Sequence, residues 1–153
     1  MNSLEIRLAG HDDCKDIFEW RNDKLTRQMS KNIGFVEWKD HVRWFENCLR
    51  DINCYILLCE NEKKQKVAVV RFEINSTNAL VSINLAPNQR GKGYSSNCLS
   101  SSIAFLSDIN TDVKILYAEI KDSNIASQKI FLSNGFEPFE QQIDARIYKK
   151  VME

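Results

Sequence analysis

Leu4, Ile6 and Leu8 alternate with Glu5 and Arg7, the two-residue period of a half-buried strand. The polar run His11, Asp12, Asp13 supplies helix-start chemistry. Cys14, Ile17, Phe18 and Arg21 then recur at helical spacing, which predicts a helix. Residues 24–33 lose that period and read as a structured loop. From 36 to about 50, Trp38, Val42, Phe45 and Leu49 form one apolar stripe, predicting a second helix with Trp38 in the core and with His41 and Trp44 at the stripe's border, facing a pocket. Three strands follow at 54–59, 67–74 and 79–86, the first two joined by the charged turn 60–66 in an antiparallel meander. Pro87 stops the third, residues 89–93 form a basic glycine turn, and Cys98, Leu99, Ile103 and Leu106 share one face of a helix over 94–106. Val113, Ile115 and Tyr117 alternate in a further strand. A last helix over 124–134 ends at Gly135, suited to a left-handed cap, and short strands around 136–139 and 143–151 complete the chain. This order gives an α/β fold with one mixed sheet, helices on both faces, and a single domain over 1–153.

Composition narrows the function. The 153 residues carry 21 Lys+Arg against 21 Asp+Glu, so no net charge draws the chain to nucleic acid or to an anionic membrane, and any anion site must be local. No apolar run approaches the length of a membrane span, and Glu5 and Arg7 interrupt the place where a signal peptide would be apolar. The five cysteines, Cys14, Cys48, Cys54, Cys59 and Cys98, form no C-x-x-C pair or His/Cys cluster. They read as reduced, buried thiols of a cytoplasmic protein, with no metal site expected.

The informative segment is 83–95, where a strand runs through Pro87 into Arg90, Gly91, Lys92, Gly93 and the helix start at Tyr94 and Ser95. Successive amides and the positive end of a helix dipole converge there on one anion, and a phosphate fits. Glycines let the anion approach the main chain, while Arg90 and Lys92 add positive charge. The spacing is neither that of a P-loop nor that of a dinucleotide fingerprint.

Arg90-x-x-Gly93-x-Ser95, followed after a helix and a strand by Asn124-x-x-Ser127-x-x-x-Phe131-x-x-x-Gly135-Phe136, resembles the paired motifs of the GNAT superfamily of N-acetyltransferases. Trp20, Arg21, Asn22, Asp23, Arg27, Ser30, Trp38, His41, Trp44, Phe45, the triplet Val70, Arg71, Phe72 and the run Ala118 to Lys121 resemble, more narrowly, the nucleotide-sugar N-acetyltransferases of the pseudaminic acid type. The resemblance spans essentially the whole chain. It implies a mostly antiparallel seven-stranded sheet flanked by four helices, and acetyl-CoA held in a V-shaped opening between the fourth and fifth strands. It also implies acetyl transfer by direct attack from the primary amine, the 4-amino group, of a UDP-linked amino-deoxy sugar. A homodimer is frequent in such families. Alternative acceptors are a protein N-terminal amine, a polyamine or an antibiotic, and a non-catalytic acyl-CoA-binding module is a further alternative.

On this resemblance Ile83 and Leu85 contact the pantetheine arm, Arg90, Gly91, Lys92, Gly93, Tyr94 and Ser95 hold the phosphates, and Asn124, Ser127 and Phe131 line the pantetheine and adenine side. Phe131 stands where many members carry a tyrosine that protonates the departing thiolate, so that role has no hydroxyl here, and Ser95 replaces the usual Gly or Ala. The ranked proton acceptors are Glu119, set by strand alternation opposite Ala118 and Ile120, then His41, then Glu73. Arg21, Asn22, Arg27 and Arg71 offer donors to a diphosphate or to sugar hydroxyls, and Trp44 a face for stacking. Phe18, Phe45 and Phe72 are assigned to packing.

Overall fold

A computed structural model describes residues 3–153. Seven strands, β1 (Glu5–Leu8), β2 (Cys54–Glu60), β3 (Lys66–Asn75), β4 (Asn78–Leu85), β5 (Ile115–Lys121), β6 (Glu137–Gln142) and β7 (Ala145–Val151), form one sheet. Their order is β1-β2-β3-β4-β5-β7-β6, antiparallel except at β4–β5. The helices are α1 (Cys14–Arg21), α2 (Lys24–Met29), α3 (Trp38–Arg50), α4 (Ser95–Ile109) and α5 (Ile125–Ser133). Four of the five match the expected helices, and α2 is additional.

The central strands are buried on both faces, which is why β2 and β3 read as nearly unbroken apolar runs. Leu57, Cys59, Ala68, Val70 and Phe72 pack toward Leu99, Ile103 and Leu106 of α4 and Phe131 of α5. Their alternating neighbours Ile56, Leu58 and Val69 pack toward Ile17 and Trp20 of α1 and Phe45 and Cys48 of α3. Gly135 has φ +87° and ends α5 in the left-handed conformation its position predicts.

Three expectations are corrected. Residues 24–29 are helical because the Asp23 carboxylate accepts from the Thr26 amide at 3.1 Å, a local cap that an apolar period does not reveal. Trp38 is 47% exposed rather than core, since its face meets only the edge of Phe18 at 5.0 Å and the His41 ring at 6.1 Å. Cys48 and Cys54 are joined in a disulfide, their Cα atoms 5.5 Å apart. The short link from α3 to β2 brings them within bridging range, and with it goes the argument from reduced thiols to a cytoplasmic setting. Cys14, Cys59 and Cys98 are free.

Candidate active site

The site begins where the sheet splits. β4 pairs with β3 along its whole length, but with β5 only from Asn78 to Leu80, opposite Ile115 to Tyr117. From Val81 onward its other edge has no strand partner, while β5 from Ala118 pairs with β7 alone. The two strands thus open a wedge with exposed backbone donors and acceptors. A cavity of about 670 Å³ occupies it, with Ser82, Ile83 and Asn84 on one side and Ala118, Glu119 and Ile120 on the other. Asn124, Ser127 and Phe131 also line it. Asn124 is placed by its own cap, Oδ1 accepting from the Ser127 amide at 3.1 Å, and Phe131 is locked edge-on against Phe136 at 4.9 Å. Leu85 lies beyond the lining residues, at the end of β4, paired with Ala68.

The glycine turn leads from this wedge into α4. Gly91 and Gly93 hold φ +74° and +79°, with open space where a side chain would begin. Glycine is required there by the backbone conformation, not by crowding. The amides of Gln89 and Arg90 are used within the turn, and the next bonded amide is that of Cys98. Among the described residues, no acceptor takes the N–H groups of residues 91–97, and α4 starts at Tyr94 without a side-chain cap or an acidic residue in its first turn. A row of free amides at a helix start with room beside it fits the pyrophosphate of a coenzyme such as acetyl-CoA. The Arg90 side chain is not part of this row: it pairs with Asp23 and donates to Thr26 Oγ1 at 2.8 Å, which ties the turn to α2. Lys92 donates to Gln89 Oε1 at 3.4 Å, and Tyr94 Oη accepts from Asn61 at 3.4 Å.

Arg21, Trp44 and Arg71 also line the cavity, and both arginines approach the Trp44 ring, at 4.9 and 5.2 Å from its centroid. Arg21 Nη1 is buried without a hydrogen-bond partner among the described residues. Burial, and then the neighbouring charge of Arg71, pulls the Arg21 guanidinium below its ordinary pKa. Two cations sharing one aromatic ring, one with an unpartnered donor, have the charge and hydrogen-bonding capacity to receive an anion. Arg71 has only a long contact to Glu73, 3.5 Å.

The other acceptor-side candidates have structural duties. Asn22 clamps the loop after α2, donating to the Val36 carbonyl at 2.9 Å and accepting from its amide at 2.8 Å. Arg27 donates to the Asn22 carbonyl at 3.2 Å. Neither lines the cavity; together they shape the segment 30–36 that does.

Of the three proton acceptors, Glu119 alone lines the cavity, its side chain 25% exposed and 3.3 Å from the Lys31 ammonium. His41 is fully buried, caged by Phe18, Trp38, Trp44 and Phe45, with Nε2 donating to the Cys14 carbonyl at 2.9 Å. It is a core residue because α1 covers the helix flank that the stripe left open. Glu73 faces a separate hollow with Asn47, Asp51 and Asn53. Residues of the cavity that the sequence did not mark include Lys31, Ser82, Asn84 and Asp144. Lys31 lies on an aperiodic loop, and the β4 pair is visible only once the wedge is known. Among the described residues, no group of three or more His, Cys, Asp or Glu side chains is placed to hold a metal ion, and no helix is long and apolar enough to cross a membrane.

Residues 3–137 match the sequence model of the acetyltransferase (GNAT) domain. No curated protein matches in sequence. Solved structures share the fold at low identity. The spermidine N-acetyltransferase of Vibrio cholerae in complex with CoA and spermine superposes with TM-score 0.86 at 16% identity, covering 97% of this chain and 95% of that one. A domain from Methanocaldococcus jannaschii gives 0.85 at 22%, covering 99% and 100%. AAC(6')-Ib in complex with ribostamycin and coenzyme A gives 0.83 at 14%, covering 97% and 93%.

Proposed function

The chain belongs to the GNAT family and is an acetyl-CoA-dependent N-acetyltransferase, and from this premise we propose that its acceptor is the 4-amino group of a UDP-linked amino-deoxy sugar. The observation that carries the reading is the Arg21–Trp44–Arg71 group, with its unmet buried donor at the acceptor end of the cavity. A diphosphate supplies the missing acceptors, and the Trp44 ring holds the two guanidinium groups that would meet it. The polycations bound in the structural neighbours, spermine and ribostamycin, would instead meet Arg21, Arg71, Lys31 and Lys121 against Glu119 and Asp144. That wall favours an anionic molecule carrying an amine over a polycation.

Acetyl-CoA supplies an activated acyl group when bound. The amides of residues 91–97 would hold its phosphates, and the free edge of β4 about Ile83 its pantetheine arm. Glu119 receives the proton the amine loses on attack, through the face of β5 that opens on the wedge. The carboxylate must first exchange Lys31 for the incoming amine. Phe131 keeps the wall apolar and has no hydroxyl to supply as an acid, so a proton for the leaving thiol would come from solvent.

The test is calorimetric titration with UDP-4-amino-sugar and with spermidine, followed by thiol release from acetyl-CoA with each. Binding and turnover on the sugar nucleotide, lost in Arg21→Ala and Arg71→Ala, are expected. Turnover on spermidine that is indifferent to both arginines contradicts the assignment.

A further inference from the structure

Lys31 is a primary amine that the fold itself delivers to the acceptor side of the cavity. Its Nζ sits 3.3 Å from Glu119 Oε1 and its side chain is 82% exposed. It lines the same cavity as Ser82, Ile83, Asn84, Ala118 and Ser127. No second carboxylate holds it among the described residues. The segment that carries it is fixed on both sides: Ser30 Oγ donates to the Thr26 carbonyl at 2.7 Å, and the Asn22 clamp fixes Val36. Its charge partner is thus the residue argued above to take the acceptor's proton, and its amine occupies the station the acceptor amine needs.

We propose that Lys31 is a self-acetylation site, its amine serving as an internal acceptor whenever acetyl-CoA is bound and the external amine is absent. The proposal rests on Glu119 as proton acceptor, but not on the identity of the external acceptor. In the step, the Lys31 ammonium gives one proton to solvent. The neutral nitrogen forms an amide bond to the acetyl carbon as the carbon–sulfur bond breaks, its second proton passes to Glu119, and the departing thiolate takes a proton from water. The product is a neutral acetamide. It can no longer pair with Glu119, so acetylation removes the internal competitor and leaves the carboxylate free for an external amine. One turnover per chain converts the protein from a self-occupied to an open form.

The full chain is incubated with acetyl-CoA and no amine, and followed by intact and peptide mass spectrometry. One acetyl group per chain is expected, mapped to Lys31 and forming at least about tenfold faster than on exposed Lys39, in line with general-base assistance. Glu119→Gln should reduce Lys31 to the rate of Lys39, and Lys31→Arg should leave the chain unmodified at that position. In coenzyme-free protein, the Lys31 side-chain ammonium signal in nitrogen–proton NMR should shift on Glu119→Gln. Equal rates at Lys31 and Lys39, a Lys31 rate indifferent to Glu119→Gln, or an unmoved ammonium signal would each overturn the proposal. Turnover on the sugar nucleotide alongside an unmodified Lys31 would overturn it while leaving the acceptor assignment standing.

Discussion

Glu119 and His41 show how much a single residue's surroundings decide. Both are proton-transfer types, yet one opens on the cavity and the other is sealed in an aromatic cage. Glu119→Gln should lower kcat by about a hundred- to ten-thousand-fold and leave the dissociation constant for CoA unchanged, as steady-state kinetics and calorimetry would show. Burial, aided by the Arg21 charge and opposed by the Cys14 carbonyl, lowers the pKa of His41. A histidine held neutral in the fold binds a proton more readily once unfolded, so its contribution is intact above about pH 6.5 and is lost as pH falls below that. The melting temperature of the wild type should therefore drop more steeply between about pH 6.5 and 5 than that of His41→Phe; parallel profiles would contradict this. The position of Glu119 was legible because strand alternation sets its face. His41 was misread because a helical stripe says which side meets the sheet, but not that a second helix covers the flank. Lys31 had no signal at all: its partner lies on a distant strand, and its own loop has no period.

At the scale of elements, the fold spends its polar groups on joints. Asp13, ahead of α1, takes both Arg7 nitrogens at 2.8 and 2.9 Å, the Gly10 amide at 2.8 Å and Lys66 Nζ at 2.7 Å. It fastens β1, the turn and β3 together. Burial alone would raise its pKa, but Arg7, the Gly10 amide and Lys66 outweigh it and hold the carboxyl below the usual range. That contribution is present above about pH 4 and is lost as acid protonates the group. Asp13→Asn should cost about 1–3 kcal/mol in urea unfolding, because the buried side chain loses its charge-assisted bonds to the part-exposed Arg7 and Lys66. The glycine turn is the second joint. Gly93→Ala should weaken CoA binding by about tenfold or more while leaving the affinity for the acceptor amine unchanged, since the positive φ is what aims the amides. Arg90→Ala, which unties the turn from the cap of α2, should instead raise the acceptor KM more than the coenzyme KM. The glycine turn was readable from Arg90, Gly91, Lys92 and Gly93 in sequence order. That the Arg90 side chain serves α2 rather than a phosphate was not, because its partner Asp23 is brought in only by the tertiary fold.

For the whole molecule, the decisive feature is that one parallel pair sits inside an otherwise antiparallel sheet and stays joined for only three residues. Strand order of this kind follows from alternating elements and crossovers, so the α/β class could be argued from the chain. The length over which β4 and β5 remain paired depends on side-chain packing beneath them and could not. Glu119 on β5 and the arginines of α1 and β3 line one cavity in the wedge, and the free amides of the α4 start follow from β4, which forms its other wall. The measurement that tests this most directly is a backbone amide NMR titration with CoA. The largest shifts should fall on residues 91–97, with smaller ones about Ile83. Saturable binding that leaves those amides unmoved, with the shifts collected elsewhere, would contradict the account.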